Sequence, residues 1–116
     1  MNKFNKINLS EIPIEEAHGG SGARQVLVKP EQVTGKYFEA MTKGFLKPGG
    51  VFDWHIHVDT DEVFIVLKGK GKFYFEKEIT EYVEGDIVTI PSNYKHKIEA
   101  SGDITNEFFF VRVRTK

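Results

Sequence analysis

The chain has 116 residues, of which 40% are hydrophobic and ten are phenylalanine, so it is long enough for one domain with an aromatic-rich core. Sixteen lysines and arginines face 17 aspartates and glutamates, and the net charge of -1 gives no general reason to expect nucleic acid as a partner. Cysteine is absent, so disulfides and thiolate chemistry are excluded, and any metal must be bound by histidine, aspartate or glutamate.

The first 25 residues are predicted to be irregular. They contain no long apolar stretch, so neither a signal peptide nor a membrane span is predicted, and we expect a cytoplasmic protein without a membrane partner. The segment HGGSG at 18–22 is predicted to form a loop, because three glycines and a serine disfavour regular structure. His18, in this loop, is expected to be a surface residue.

Short β-like runs follow along the rest of the chain, at 25–29, 36–46, 51–58, 62–69, 72–78, 86–91, 96–100 and 107–115. Turn-forming residues separate them. Strands of this length with turns every 8–12 residues or so are typical of an antiparallel sandwich or barrel. No long segment keeps an apolar period of about 3.6 residues, so extended helices are not expected. We therefore predict an all-β chain that forms a single domain over 1–116.

Two basic segments are expected to have structural roles. KGKGK at 68–72 lacks the full phosphate-loop pattern and no helix pattern follows it, so it is predicted to be a solvated hairpin turn. RVRTK at 112–116 alternates charge with valine, which predicts an exposed strand edge protected against association by its charges.

The segment WHIHVDTDE at 54–62 places two histidines one residue apart, just before an acidic turn. Alternation along a strand would put His55 and His57 on the same face. After the turn, Glu62 would begin the next strand and stand opposite them across a hairpin. Imidazoles and carboxylates bind Zn, Fe, Mn, Ni or Cu. His96 begins a later strand and would complete the set if the barrel brings that strand alongside.

Each of these residues also has a structural explanation. The histidine pair could be solvated, and Glu62 could be an exposed turn carboxylate like Asp59 and Asp61. His96 could be a buried histidine bonded to a backbone carbonyl.

Together these residues make the sequence resemble the cupin superfamily, and in particular small single-domain microbial cupins. The first cupin motif, G-x5-H-x-H-x3,4-E-x6-G, is matched over residues 49–69 by Gly49, His55, His57, Glu62 and Gly69. The second, G-x5-P-x-G-x2-H-x3-N, is matched over residues 85–100 by Gly85, Pro91 and His96. Asn93 and Ala100 depart from it, replacing a glycine and an asparagine. Neither is a ligand position, and asparagine tolerates the left-handed conformation that a turn can require.

The resemblance implies an antiparallel double-stranded β-helix, the jelly-roll barrel. It also implies a divalent transition metal (Fe, Mn, Ni, Zn or Cu) bound by His55, His57, Glu62 and His96, in an enzyme that acts on a small organic molecule. Oxygenases, isomerases, lyases and decarboxylases are all found among such proteins, and no catalytic residue is identified. The alternative is a non-catalytic cupin that binds or senses a small molecule. A homodimer is implied as well, with the segment 1–25 crossing to the partner, and related HGG stretches keep His18 as a pocket or interface candidate.

Five residues are predicted to line an apolar pocket, either because they share a strand face with the proposed ligands or because they lie close to His96: Val51, Asp53, Phe64, Val66 and Tyr94. Trp54 would lie on the opposite face of a regular strand, which favours a packing role.

Overall fold

The computed structural model describes residues 4–116, and the side chain of His18 lies outside the description. Strands account for most of this range: β1 (Glu15–Ala17), β2 (Gly22–Val28), β3 (Phe38–Leu46), β4 (Val51–His55), β5 (Thr60–Lys68), β6 (Lys70–Phe75), β7 (Glu78–Tyr82), β8 (Ile87–Ile90), β9 (His96–Ser101) and β10 (Asn106–Arg114). Three short 3-10 turns lie at Leu9–Glu11, His18–Gly20 and Pro30–Gln32. Within 4–116, no helix is long and apolar enough to cross a membrane.

The strands form two antiparallel sheets. One has six strands in the order β1-β2-β3-β10-β5-β8, and the other has four in the order β4-β9-β6-β7. Between them lies a core of buried apolar side chains: Leu46, Phe52, Phe64, Val66, Phe73, Tyr82, Ile90, Ile98, Ala100, Phe108 and Phe110. Alternate residues of β5, β9 and β10 point into this core, which is the period-two pattern of strands buried on one face. The predicted all-β jelly-roll barrel is confirmed.

The N-terminal region is more regular than the sequence predicted. β1 pairs with β2, with Glu15 opposite Arg24, and the turn between them uses left-handed φ angles at Gly19 and Gly20. Gln25 is buried, and its Nε2 donates to the carbonyl of Leu9 at 3.1 Å and to that of Ile12 at 2.9 Å. The expectation of an irregular segment was wrong for residues 15–17 and 22–25, because a three-residue strand is too short to show an alternating pattern. The loop predicted at 18–22 corresponds to the turn between β1 and β2, except that Gly22 begins β2.

The two basic segments are also placed differently from the predictions. Gly69 is not at a hairpin turn: the chain passes there from the six-stranded sheet to the four-stranded sheet. Arg112 is not on an edge, because β10 pairs with β3 on one side and with β5 on the other. Strand β7 was not predicted, since only Tyr82 of its five residues is buried.

Candidate metal centre

Four side chains meet inside one end of the barrel: His55, His57, Glu62 and His96. We call them the four-residue cluster. Each offers one atom able to bind a metal, and these atoms all lie within 4.8 Å of one another. The Glu62 carboxylate is 3.5 Å from Nε2 of His57 and 3.8 Å from Nε2 of His96. The structure thus brings together the four residues that the sequence singled out.

The cluster is assembled from both sheets. Strand β4 pairs with β9 in the four-stranded sheet, where His55 is the register partner of His96. Glu62 belongs to β5 in the six-stranded sheet, so it faces the histidines across the barrel interior. The predicted hairpin between β4 and β5 was therefore wrong, although the predicted proximity was right.

His57 reaches the cluster from a loop, because β4 ends at His55. The loop is held by Asn93, whose backbone N–H donates to the carbonyl of His57 at 2.9 Å and whose Oδ1 accepts from the backbone N–H of Asp59 at 3.2 Å. Asn93 has a φ of 68°, the left-handed conformation expected where the motif has glycine. Asp61, at the start of β5, also holds the loop that contains Asn93, its Oδ1 accepting from the backbone N–H of Ser92 at 2.8 Å.

Backbone carbonyls orient two of the imidazoles. Nδ1 of His55 lies 2.6 Å from the carbonyl oxygen of Asp53, and Nδ1 of His96 lies 3.0 Å from that of Tyr94. A carbonyl oxygen can only accept, so each Nδ1 donates a proton, and in the neutral imidazole it is then Nε2 that carries the lone pair. Nε2 of His57 and Nε2 of His96 are buried and have no hydrogen-bond partner within residues 4–116.

The local charges favour the forms that bind metals. Burial alone would raise the pKa of Glu62, but His57, followed by Arg112, outweighs it and holds the pKa below its usual 4.5. Burial lowers the pKa of His96 to about 4, despite the opposing effect of the Tyr94 carbonyl. At neutral pH the site therefore presents an ionised carboxylate and a neutral imidazole, as metal binding requires.

Arg112 is a site residue that no sequence motif indicated. It is the register partner of Glu62 across β10 and β5, and its Nη1 lies 3.5 Å from Glu62 Oε2. Its Nε donates to Glu39 Oε2 at 3.0 Å. The alternating charges of residues 112–116 predicted an exposed edge for Arg112, because the pairing of β10 with β5 cannot be read from a local pattern.

A cavity of about 110 Å³ opens beside the four-residue cluster. His55, His57, Glu62 and Arg112 form its polar side, Phe52, Ile98 and Phe110 form an apolar wall, and Ala17, Ala23 and Arg24 border it from the N-terminal hairpin. The side chain of His18, the pocket or interface candidate in that hairpin, lies outside the description.

None of the five residues predicted to line the pocket borders this cavity. The pairing of β4 with β9 is irregular between Phe52 and His55, so Phe52 points inward while Asp53 is exposed and Val51 does not reach the cavity. This shift moves the inward face of the strand by one residue. Trp54 is exposed on the outside, where its ring meets Tyr74 edge to face, as a packing role predicts.

The other three predicted lining residues do not border the cavity either. Phe64 and Val66 share the inward face of β5 with Glu62, but each is 1% exposed and belongs to the core. Tyr94 is 38% exposed, and its ring stacks on that of Phe75 at 4.8 Å.

Comparison with known proteins gives one family match and several relatives. Residues 45–112 match the family model described as the cupin domain. An uncharacterized protein of Methanocaldococcus jannaschii is 34% identical over 50 residues, which are 43% of this chain and 40% of that protein. The uncharacterized protein YdbB of Bacillus subtilis is 41% identical over 49 residues, which are 41% of this chain and 43% of that protein. The matches therefore span less than half the length of these relatives.

Solved structures share the fold at low sequence identity. A predicted oxalate decarboxylase from Thermotoga maritima has a TM-score of 0.87 at 23% identity. The superposed region covers 95% of this chain and 99% of that protein's chain. The polyketide cyclase RemF from Streptomyces resistomycificus has a TM-score of 0.81 at 17% identity, over 98% of this chain and 81% of the RemF chain. A sugar phosphate isomerase from Silicibacter pomeroyi has a TM-score of 0.78 at 18% identity, over 96% of this chain and 76% of the isomerase chain.

Proposed function

This chain belongs to the cupin family, and we propose that it is a metal-dependent enzyme acting on a small organic molecule. The observation that carries the proposal is the pair of buried nitrogens, Nε2 of His57 and Nε2 of His96, which face Glu62 without a hydrogen-bond partner among the described residues. Buried polar atoms in proteins are nearly always paired, and leaving one unpaired costs about 1–3 kcal/mol. A cation between these atoms would satisfy both nitrogens and the carboxylate.

The four-residue cluster would hold a divalent transition metal. Three imidazole nitrogens and one carboxylate oxygen suit Fe, Mn, Ni, Zn or Cu. When bound, such an ion supplies Lewis-acid chemistry, or redox chemistry if it is iron or manganese.

The surrounding residues prepare the site for that role. The carbonyls of Asp53 and Tyr94 fix the rings of His55 and His96, so that both nitrogens are aimed before an ion arrives. The apolar wall excludes water from one side of the cavity and strengthens every charge interaction inside it.

The solved relatives support an activity on small molecules. Three proteins with this fold are described as a decarboxylase, a cyclase and an isomerase. We propose that the reaction of this protein is of oxygenase, isomerase, lyase or decarboxylase type. The same fold carries different chemistries, so the site and not the fold must decide among these.

The second candidate function is a non-catalytic cupin that binds or senses a small molecule. One observation favours it: apart from the four-residue cluster and two arginines, Thr42 is the one described residue with a polar side chain that borders the cavity. Outside the four-residue cluster, the described lining thus supplies no side chain suited to act as a general acid or base. Turnover of a bound ligand by the metal-loaded protein would exclude this alternative, whereas tight binding without turnover would support it.

Metal analysis of protein purified without added metal tests the site itself. We expect about one divalent transition-metal ion per chain by mass spectrometry, and loss of most of it in His57→Ala and His96→Ala. Glu81→Ala, at an exposed position of β7 and not a member of the four-residue cluster, is the control, with metal content unchanged. If the cluster variants hold as much metal as the parent protein, the site is wrongly assigned.

We also propose a cytoplasmic homodimer that pairs through the outer face of the six-stranded sheet. On that face Ile87 and Ile65 are register partners, Ile65 is in turn opposite Phe109, and Val63 is opposite Val111. Ile87 is 67% exposed and Val63 is 40% exposed, and adjoining exposed apolar side chains mark interaction surfaces. Light scattering at micromolar concentration tests the proposal, and a monomer mass would exclude it.

A further inference from the structure

We infer that the cavity beside the four-residue cluster is built for a short-chain carboxylic acid whose carboxylate pairs with Arg112. The inference deepens the proposed function and rests on it, because the bound ion contributes part of the charge that the acid would neutralise.

Most N–H donors of Arg112 form no hydrogen bond with the described residues. A guanidinium carries five N–H donors, and in Arg112 only Nε forms a hydrogen bond within residues 4–116, to Glu39 Oε2. Nη1 lies 3.5 Å from Glu62 Oε2, which is an ion-pair distance and too long for a good hydrogen bond. The Nη1 and Nη2 edge thus remains able to bind a carboxylate by two parallel bonds, the strongest geometry for this pair.

The contact with Glu39 fixes the direction of this edge. Because Nε is bonded to Glu39 and the side chain is only 22% exposed, the guanidinium is held beside the cavity rather than extended into solvent. A donor group that is already oriented loses little conformational entropy when it binds a ligand.

The charges around the cavity favour an anion once an ion is bound. Arg112 and Arg24 border the cavity, and with a divalent ion they would bring four positive charges. Three carboxylates oppose them: Glu62 in the cluster, Glu39 at Arg112, and Glu15, whose Oε1 lies 3.0 Å from Arg24 Nε. One positive charge is left over beside an apolar wall, where low polarity makes an uncompensated charge costly. A single carboxylate would balance it.

The size of the cavity limits the rest of the ligand. Its volume is about 110 Å³. An engineered protein cavity of about 150 Å³ holds one benzene molecule, so the part of the ligand inside this smaller cavity is at most about the size of an aromatic ring. Phe52, Ile98 and Phe110 would contact a short carbon chain. A 2-oxo acid or a short dicarboxylate fits these limits, and its second oxygen group could reach the ion.

Calorimetric titration of the manganese-loaded protein tests the inference with pyruvate, malonate, benzoate and pyruvamide as probes. We expect pyruvate or malonate to bind at least about 10-fold more tightly than pyruvamide, which has the size of pyruvate without its charge, and more tightly than the larger benzoate. Equal binding of pyruvate, malonate and pyruvamide, or no binding of either acid, would overturn the inference, and neither result depends on a variant.

Arg112→Gln should weaken binding of the acid about 10-fold or more while manganese still binds. Arg112→Lys keeps the charge but loses the two-point geometry, so an intermediate affinity is expected. Arg114→Gln is the control on the same strand, because Arg114 is exposed and its Nη2 donates to the carbonyl of Lys36, away from the cavity. If Arg24→Gln weakens binding and both Arg112 variants do not, the carboxylate pairs with Arg24 and not with Arg112, and the inference fails.

Manganese binding to the parent protein, measured first, distinguishes failure of the metal site from failure of the carboxylate site. If manganese does not bind, the proposed function fails and the inference fails with it. If manganese binds but the acid and its amide are not distinguished, the inference alone fails.

Discussion

The backbone N–H of Asn93 donates to the carbonyl of His57, and this bond joins the loop that carries one cluster histidine to the loop that precedes another. His57 lies beyond the end of β4, so no strand pairing fixes its backbone. Asn93 does so instead, because its left-handed conformation turns its N–H toward His57 while its side chain accepts from Asp59.

Asn93→Ala should therefore weaken both the fold and the site. An alanine in the left-handed conformation costs about 1–2 kcal/mol, and the bond to Asp59 is lost as well. We expect a lower melting temperature for the metal-free protein and weaker metal binding. Asn93→Gly is the matched control, because glycine adopts this conformation without strain and should keep the backbone bond to His57. Equal stability of the alanine and glycine variants would show that the backbone conformation is unimportant here.

Glu62→Gln should reduce metal affinity by about 100-fold or more, since the amide keeps the shape of the side chain but removes the anionic oxygen. Asp61→Asn, one residue earlier on β5, is the control: its side chain accepts from Ser92 outside the cluster and should leave metal affinity unchanged. Competition with a coloured chelator measures both variants. A loss of affinity in Asp61→Asn as large as that in Glu62→Gln would point to general disruption of the loops and not to a lost ligand.

The acid sensitivity of the metal-free protein should include a contribution from Glu107. Burial would raise its pKa, but Lys43, whose Nζ is 2.9 Å from Oε1, and then Lys68 hold the pKa below the usual 4.5. A carboxyl whose pKa is lower in the folded state stabilises the fold above its unfolded pKa, and this contribution is lost as the pH falls through the folded pKa.

We therefore expect the free energy of unfolding of Glu107→Gln to be lower than that of the parent by at most about 1 kcal/mol at pH 7. The difference should disappear as the pH is lowered from about 5 to about 3. Urea denaturation across this range measures it. Glu81→Gln, at an exposed position of β7, is the control for the loss of one surface carboxylate. A difference for Glu107→Gln that stays constant down to pH 3 would contradict the role of the charge.

The sequence predicted the cluster better than its surroundings, and the reason is physical. Spacing along the chain locates His55, His57, Glu62 and His96, because a barrel places motif positions at one end whatever the local detail. A single irregularity between Phe52 and His55 reverses which neighbours point inward, and alternation cannot anticipate it. Arg112 required knowledge of which strands pair, since its partner Glu62 is 50 residues away in the chain.

The two motif glycines Gly69 and Gly85 should respond differently to the same substitution. Both have positive φ angles, 92° and 89°, so an alanine at either position carries a similar backbone strain of about 1–2 kcal/mol. At Gly69 an added Cβ would lie 2.3 Å from Nδ2 of Asn106, whereas at Gly85 nothing lies within 4 Å. Asn106 is fully buried, and its Oδ1 accepts from the Tyr82 hydroxyl at 2.7 Å, so it has little room to move.

Gly69→Ala should therefore destabilise the protein by about 3 kcal/mol or more, and Gly85→Ala by about 1–2 kcal/mol. Chemical denaturation of the metal-free variants measures both values, and the difference between them isolates the clash with Asn106. Gly69→Ala combined with Asn106→Ala removes the clashing side chain, so the cost of the alanine at position 69 should be smaller in that background than in the parent protein. Equal costs in the two backgrounds would mean that Gly69 is required for its backbone conformation alone and not for its close approach to Asn106.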